Sequence, residues 1–275
     1  MTYADTNNLH RKKMPQRKSR VFKTLTILLN LFFIFLQFGI LSCGSNKADT
    51  HGAAAAEMKS EPLYFFDYKK INMEKAGSID VKIENCNLYV DMYGYLVIVG
   101  EVKNVSSVTK TNIEITFAFY DKRGKEILFS KIPAYANHLR EGSRVPFFYH
   151  LDDKGKYIDI DKIKIGINYK NYYGRFKGNP IVKDEKFYYQ DNIMVIEGKV
   201  VNLGKKRVEN LKLLCTFYNR RDQVVFIKQC CLPKEELEPL EGQNFILKIL
   251  LDEYLPPFTH YRMEIFFEDS SMIPD

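Results

Sequence analysis

Tryptophan is absent from this chain, histidine occurs only five times, and no recognised catalytic spacing is present. There is no H-E-x-x-H pair on which zinc could sit and no G-x-S-x-G elbow. A Walker A loop and a dinucleotide fingerprint are also missing. Beyond the N-terminal leader the histidines His51, His138, His150 and His260 are scattered, so a non-enzyme is expected. The C-x-x-C spacing that lets two thiolates converge on zinc is missing as well, Cys230-Cys231 being adjacent. Asp152, Asp153, Asp159 and Asp161 cluster without the D-x-[DN]-x-[DN]-G order of a calcium loop. They read as strand-end acids in solvent. No metal and no cofactor is expected. A basic body is lacking too, despite the formal charge of +7. Seven of the 41 basic residues and one of the 34 acidic ones fall in residues 1–42, which leaves 34 against 33 afterwards. Nucleic acid needs a basic face that displaces counterions from phosphate. None is available here.

What is present begins with an address. Arg11, Lys12, Lys13, Arg17, Lys18, Arg20 and Lys23 precede an uncharged run from Thr24 to Cys43. A basic segment, an apolar segment and a small residue before a cut form the export-signal pattern. The length of the run suits a transmembrane helix of about 20 residues, whereas the residues at its end suit cleavage. Ile40-Leu41-Ser42-Cys43, followed by Gly44-Ser45, resembles the bacterial lipobox. That resemblance implies that residues 1–42 are removed, the true start being Met1 or Met14, and that Cys43 is acylated. Two or more acyl chains hold a protein firmly on a membrane. Residues 43–62 then read as the lipidated cysteine and a small, polar, aperiodic tether, spanning roughly 25 Å if coil-like. Under either reading the remainder lies outside the cytoplasm. Gly44, in place of a retaining aspartate, points to the outer membrane if the envelope has two.

The rest of the chain repeats. Ile98, Gly100, Val102 and Asn104 recur 98 positions on as Ile196, Gly198, Val200 and Asn202, and Phe119-Tyr120 recur as Phe217-Tyr218. Glu141-Gly142 and Ile165 return 100 positions on as Glu241-Gly242 and Ile265. So constant an offset marks a tandem duplication. Each copy alternates with period two: Leu96, Ile98 and Val102; Ile113, Ile115, Phe117 and Phe119; Val145, Phe147, Tyr149 and Leu151; Ile163, Ile165 and Ile167. Alternation of this kind marks half-buried strands, and "DKRGKE" and "NRRDQ" between them read as hairpin turns. The expected fold is all-β, two tandem antiparallel immunoglobulin-like β-sandwiches.

The segments "GEVKN", "FAFYDKRGKEI" and "LREGSRVPF" resemble the FxLYD domain of bacterial and archaeal envelope proteins. Its strand-to-turn motif stands here as Phe117-Ala118-Phe119-Tyr120-Asp121, and again as Cys215-Thr216-Phe217-Tyr218-Asn219. The resemblance places one module at 63–170 and a second at 180–268. It implies a small extracytoplasmic sandwich without catalysis and supplies no ligand or catalytic residues to carry over.

Cys86, Cys215, Cys230 and Cys231 permit three full pairings, among which the sequence does not choose. The connection "NYKNYYGRFKGNP" holds Tyr172, Tyr173, Arg175 and Phe176. Aromatics beside arginine are favoured at recognition hot spots, so these four are the candidate partner-binding residues. Their alternative role is to pack between the sandwiches and fix their angle. The expected function is a lipid-anchored binding or scaffold protein of the bacterial envelope, with an unknown envelope protein or polymer as partner. An accessory subunit of an envelope enzyme, or a divergent hydrolase using acids such as Asp152 and Asp153, is the alternative.

Overall fold

The computed structural model describes residues 12–13, 68–91, 93–152, 159–251 and 256–269. The lipobox-like site with Cys43, the tether and Asp153 lie outside them. Among the described residues fifteen strands form: β1 (Lys12–Lys13), β2 (Asn72–Ala76), β3 (Val81–Val90), β4 (Leu96–Asn104), β5 (Thr109–Tyr120), β6 (Glu126–Pro133), β7 (His138–Leu139), β8 (Arg144–Leu151), β9 (Lys162–Tyr172), β10 (Pro180–Gln190), β11 (Ile193–Asn202), β12 (Val208–Tyr218), β13 (Val224–Cys230), β14 (Gly242–Leu250) and β15 (His260–Asp269). One 3-10 turn, Tyr68–Lys70, is the helical structure among the described residues. No helix there is long and apolar enough to cross a membrane.

The chain folds as the alternation requires, into all-β sandwiches of antiparallel sheets. In the first repeat β3-β4-β8 faces β2-β9-β5-β6, with β7 on β5. In the second, β10-β11-β14 faces β15-β12-β13. One pairing is parallel, β2 along β9. Ile98, Val102, Ile115, Phe117, Phe119, Val145, Phe147, Ile163 and Ile165 close the first core. There the Phe117 and Tyr149 rings stack at 4.5 Å. Met194, Ile196, Val200, Leu213, Cys215, Phe217, Phe245 and Leu247 are buried at the equivalent positions of the second repeat.

The shared motif residues are structural. A Cβ on Gly100 would lie 2.7 Å from Phe147 Cζ and 2.8 Å from Cys86 Sγ. The glycine is therefore the space into which the β3 bulge between Glu84 and Asn87 packs. Gly198 faces the matching β10 bulge between Lys183 and Lys186. Each repeat opens its bulges with a residue that tolerates positive φ: Asn85 and Asn112 in the first, Asp184 and Asn210 in the second. Asn104 and Asn202, both fully buried, tie the same knot twice. Asn104 Nδ2 donates to the Val108 and Leu139 carbonyls at 2.9 and 3.0 Å. Asn202 Nδ2 donates to those of Lys206 and Leu237 at 2.8 and 3.1 Å. Asp121 Oδ1 accepts from the Arg123 and Lys125 amides, and Asn219 Oδ1 from those of Arg221 and Gln223. Both predicted hairpin turns are thereby closed.

One expectation fails. Half-buried strands leave their second face to solvent, yet Val97, Val99 and Glu101, on that face of β4, are all buried. The reason is the second repeat. Val97 and Val99 cluster with Tyr218 and Val224, backed by Tyr89 and Ile227, while Leu214 and Phe266 join the core cluster of the first repeat. The outer face of β3-β4-β8 thus packs on the outer face of β15-β12-β13. Burying both faces of β4 and β12 makes the two repeats one body.

Candidate functional site

At the centre of this inter-repeat seam lies a buried polar cluster. Glu101, fully excluded from solvent, accepts from Tyr218 Oη at 2.8 Å, from Asn85 Nδ2 at 2.6 Å and from the Arg262 guanidinium. Arg262 also donates to Glu264 at 3.2 Å, and its guanidinium sits 5.4 Å from the Tyr218 ring centroid. His260 stacks on the same ring, centroids 5.0 Å apart and planes 8° from parallel. Two carboxylates share one guanidinium, an imbalance that favours holding a proton. Burial, followed by the nearby Glu101, pushes Glu264 up to about 7 against the pull of Arg262. Burial and Glu101 likewise push the Tyr218 phenol far up. Around the cluster, Tyr89 Oη reaches the Val225 carbonyl at 3.1 Å and Gln223 Nε2 the Cys86 carbonyl at 3.3 Å. The cluster ties the two repeats together through side chains of both. Sequence reading missed it because its members are 161 positions apart. The available signal was a lone Glu among the apolar residues of β4.

The four candidate partner-binding residues divide. Tyr172 meets His138 edge-on at 4.8 Å, and Phe176 meets His138 at 5.5 Å and Phe267 at 5.7 Å. Arg140 lies over Phe267 and Phe176 at 4.7 and 5.7 Å; burial lowers its pKa and the neighbouring Asp269 opposes that. These side chains join the first repeat to the second. Tyr173, by contrast, is 80% exposed, and Arg175 is exposed beside it. The connection is then tied down: buried Asp269 accepts the Lys177 and Gly178 amides, and the Asn179 carbonyl takes the Leu203 amide.

Next to this junction runs a groove of ≈ 220 Å³ lined by Asn137, His138, Lys212, Glu235, Phe267 and Glu268, among others. His138 Nδ1 is buried there without a hydrogen-bond partner among the described residues, and burial lowers its pKa, which favours the neutral ring near pH 7. A second, polar hollow of ≈ 500 Å³ adjoins Arg207, Lys234 and Glu236. His150 stands between Asp91, 3.1 Å from Nε2, and the largely exposed Asp152, and neither groove includes it. The four cysteines among the described residues are free thiols: Cys86, Cys215 and Cys230 are buried and Cys231 is exposed. No group of three metal-ligating side chains occurs among the described residues.

No family model and no curated protein matches the chain. Among solved structures, a red sea bream transglutaminase aligns at 8% identity and a TM-score of 0.20, over 69% of this chain and 30% of that one. This chain therefore spans under a third of that protein's length. The N-terminal CBM22-1-CBM22-2 tandem domain from Paenibacillus barcinonensis Xyn10C aligns at 9% identity and a TM-score of 0.17, over 73% and 88%. At such scores neither likeness carries an argument about function.

Proposed function

We propose that this chain is a lipid-anchored, extracytoplasmic protein of the bacterial envelope that binds a protein or envelope polymer without chemistry of its own. The observation that carries the reading is the leader: a basic segment, an uncharged run and Ser42-Cys43-Gly44-Ser45, followed by a polar tether. Support for binding comes from the body. Its two sandwiches are locked face to face, so loops and strand edges are presented in fixed relative positions, which lowers the entropy lost on engaging one extended partner. The strand-to-turn segment Phe117–Asp121 leaves β5 into a closed hairpin turn, in keeping with FxLYD-like modules. The test is capture. The chain, cross-linked on intact cells at exposed Tyr173 through a photoreactive residue, is expected to give one dominant adduct with an envelope component. Adducts spread evenly over abundant envelope proteins would count against a binding role.

A further inference from the structure

The first repeat encloses a lysine that its fold does not require. Lys110, on β5, is fully buried. Its Nζ donates to Asp80 Oδ2 at 2.7 Å and to Asn171 Oδ1 at 2.8 Å, and lies 5.2 Å from the centre of the Tyr169 ring. Asn171 is its cross-strand partner on β9. The Asn171 amide turns its oxygen to the lysine, while its Nδ2 donates to Tyr173 Oη at 3.3 Å. The second repeat closes the same corner without an amine. There Val208 pairs with Asp269 as Lys110 does with Asn171. The Leu203 amide bonds the Asn179 carbonyl as the Val105 amide bonds that of Asp80. Val208, in the place of the lysine, is fully buried. An apolar side chain thus satisfies the fold at this corner, whereas a buried ammonium bears a desolvation cost that its partners must offset. Packing alone does not call for a lysine, an aspartate and an asparagine here.

We propose that Lys110 and Asn171 join covalently, by an amide bond between Nζ and Cγ, with Asp80 carrying the proton. A nitrogen 2.8 Å from Oδ1 lies within about 4 Å of Cγ, the C=O bond adding about 1.2 Å. Holding amine and amide in contact replaces a bimolecular encounter with a unimolecular step. Asp80 first takes a proton from the Lys110 ammonium, leaving an uncharged amine beside a carboxylic acid. This exchange removes two charges and is therefore favoured by burial. The Nζ lone pair then forms the bond to Cγ. As the Cγ–Nδ2 bond breaks, its electron pair leaves with Nδ2, which takes the proton back from Asp80. Nδ2 also gains the proton that Nζ loses on becoming an amide nitrogen. One ammonium ion departs, Asp80 is a carboxylate again, and nothing is oxidised or reduced. Asn171 lies at the surface, so the leaving nitrogen has a path to water. The product bridges residues 61 positions apart, closing a loop in the unfolded chain as a disulfide would. It would do so in a body whose four described cysteines are free thiols.

Mass spectrometry of the full-length chain after proteolysis tests the bond. In wild type, the peptide containing Lys110 is expected joined to the peptide containing Asn171, lighter by one ammonia than the two together. Lys110→Met and Asn171→Ala should each give separate peptides of full mass. Asp80→Asn keeps a hydrogen-bonding side chain but no proton acceptor, and should slow linkage at least about a hundredfold, the range of general acid–base assistance. Separate Lys110 and Asn171 peptides in the folded wild-type chain overturn the proposal, whatever the variants do. An ammonia loss that persists in Lys110→Met overturns it too, since the loss then arises elsewhere. Linkage in Asp80→Asn as fast as in wild type would overturn the assignment of Asp80 as proton carrier.

Discussion

Replacing Glu264 by glutamine should stabilise the protein above neutral pH and do little below pH 5. Glu264 shares Arg262 with Glu101, and Arg262 is its one side-chain hydrogen-bond donor among the described residues, whereas Glu101 has three. Raising a carboxyl from 4.5 to about 7 corresponds to about 3 kcal/mol, at about 1.4 kcal/mol for each tenfold change in proton affinity. Part of that is offset by the hydrogen bond Arg262 gives the carboxylate, so about 1–3 kcal/mol is expected. The sign follows from proton linkage. Below about pH 4.5 the group is protonated folded and unfolded, and the charge costs nothing. Between 4.5 and 7 the folded state binds more protons than the unfolded one. Stability therefore falls as pH rises through that window, and the full cost is borne above 7. Glutamine keeps the shape and an acceptor for Arg262 but removes the charge. Thermal melts by circular dichroism at pH 5 and pH 8 should show Glu264→Gln within about 1 kcal/mol of wild type at the lower pH, where only the first part of the cost has accrued. At the higher pH it should melt several degrees above wild type, at about 2–4 °C per kcal/mol for a body of this size. A variant that is destabilised at pH 8 as much as at pH 5 would refute the reasoning, because Glu264 would then be a required partner of Arg262 rather than a surplus charge.

Phe119→Ala should lower stability by about 3–5 kcal/mol in denaturant melts, as expected for a fully buried phenylalanine stacked among Phe117 and Tyr149; a loss below about 1 kcal/mol would deny it a core position. In the folded chain a thiol reagent should modify Cys231 promptly and leave the others until unfolding, since burial pushes the Cys86 and Cys230 thiols up to about 11. Rapid loss of all four would contradict the burial. Limited proteolysis should nick near exposed Gly174 and spare Gly178, which is buried with its amide held by Asp269 at 2.8 Å; early cleavage at Gly178, read by mass spectrometry, would mean the connection is not fastened.

The strands were legible because each buries a face every second residue, and the duplication made the pattern visible twice. Ile113 to Phe119 and Leu211 to Phe217 occupy the core positions their alternation assigns. Gly100 and Gly198 could be read as sites of close approach, but the bulges they face could not, since Asn85 and Asp184 look like any polar strand residues. The seam was illegible for a different reason. Val97, Val99, Leu214 and Phe266 are ordinary second-face residues, and only the docking of one repeat on the other decides that this face is dry. Ala118 shows the same limit: it is buried on the face of β5 that alternation leaves to solvent. Tyr172 and Phe176 illustrate how one composition serves two purposes, since aromatic rings beside arginine join the repeats here through His138, Arg140 and Phe267.

The anchor is the claim from which compartment and role both follow, and intact-mass spectrometry of the chain purified from bacterial membranes tests it directly. The account predicts a polypeptide beginning at Cys43 with the added mass of its acyl groups, and an unprocessed, unacylated chain from Cys43→Ser. A wild-type chain that still begins at Met1 or Met14, or a lipid adduct that survives on the Cys43→Ser protein, would contradict it.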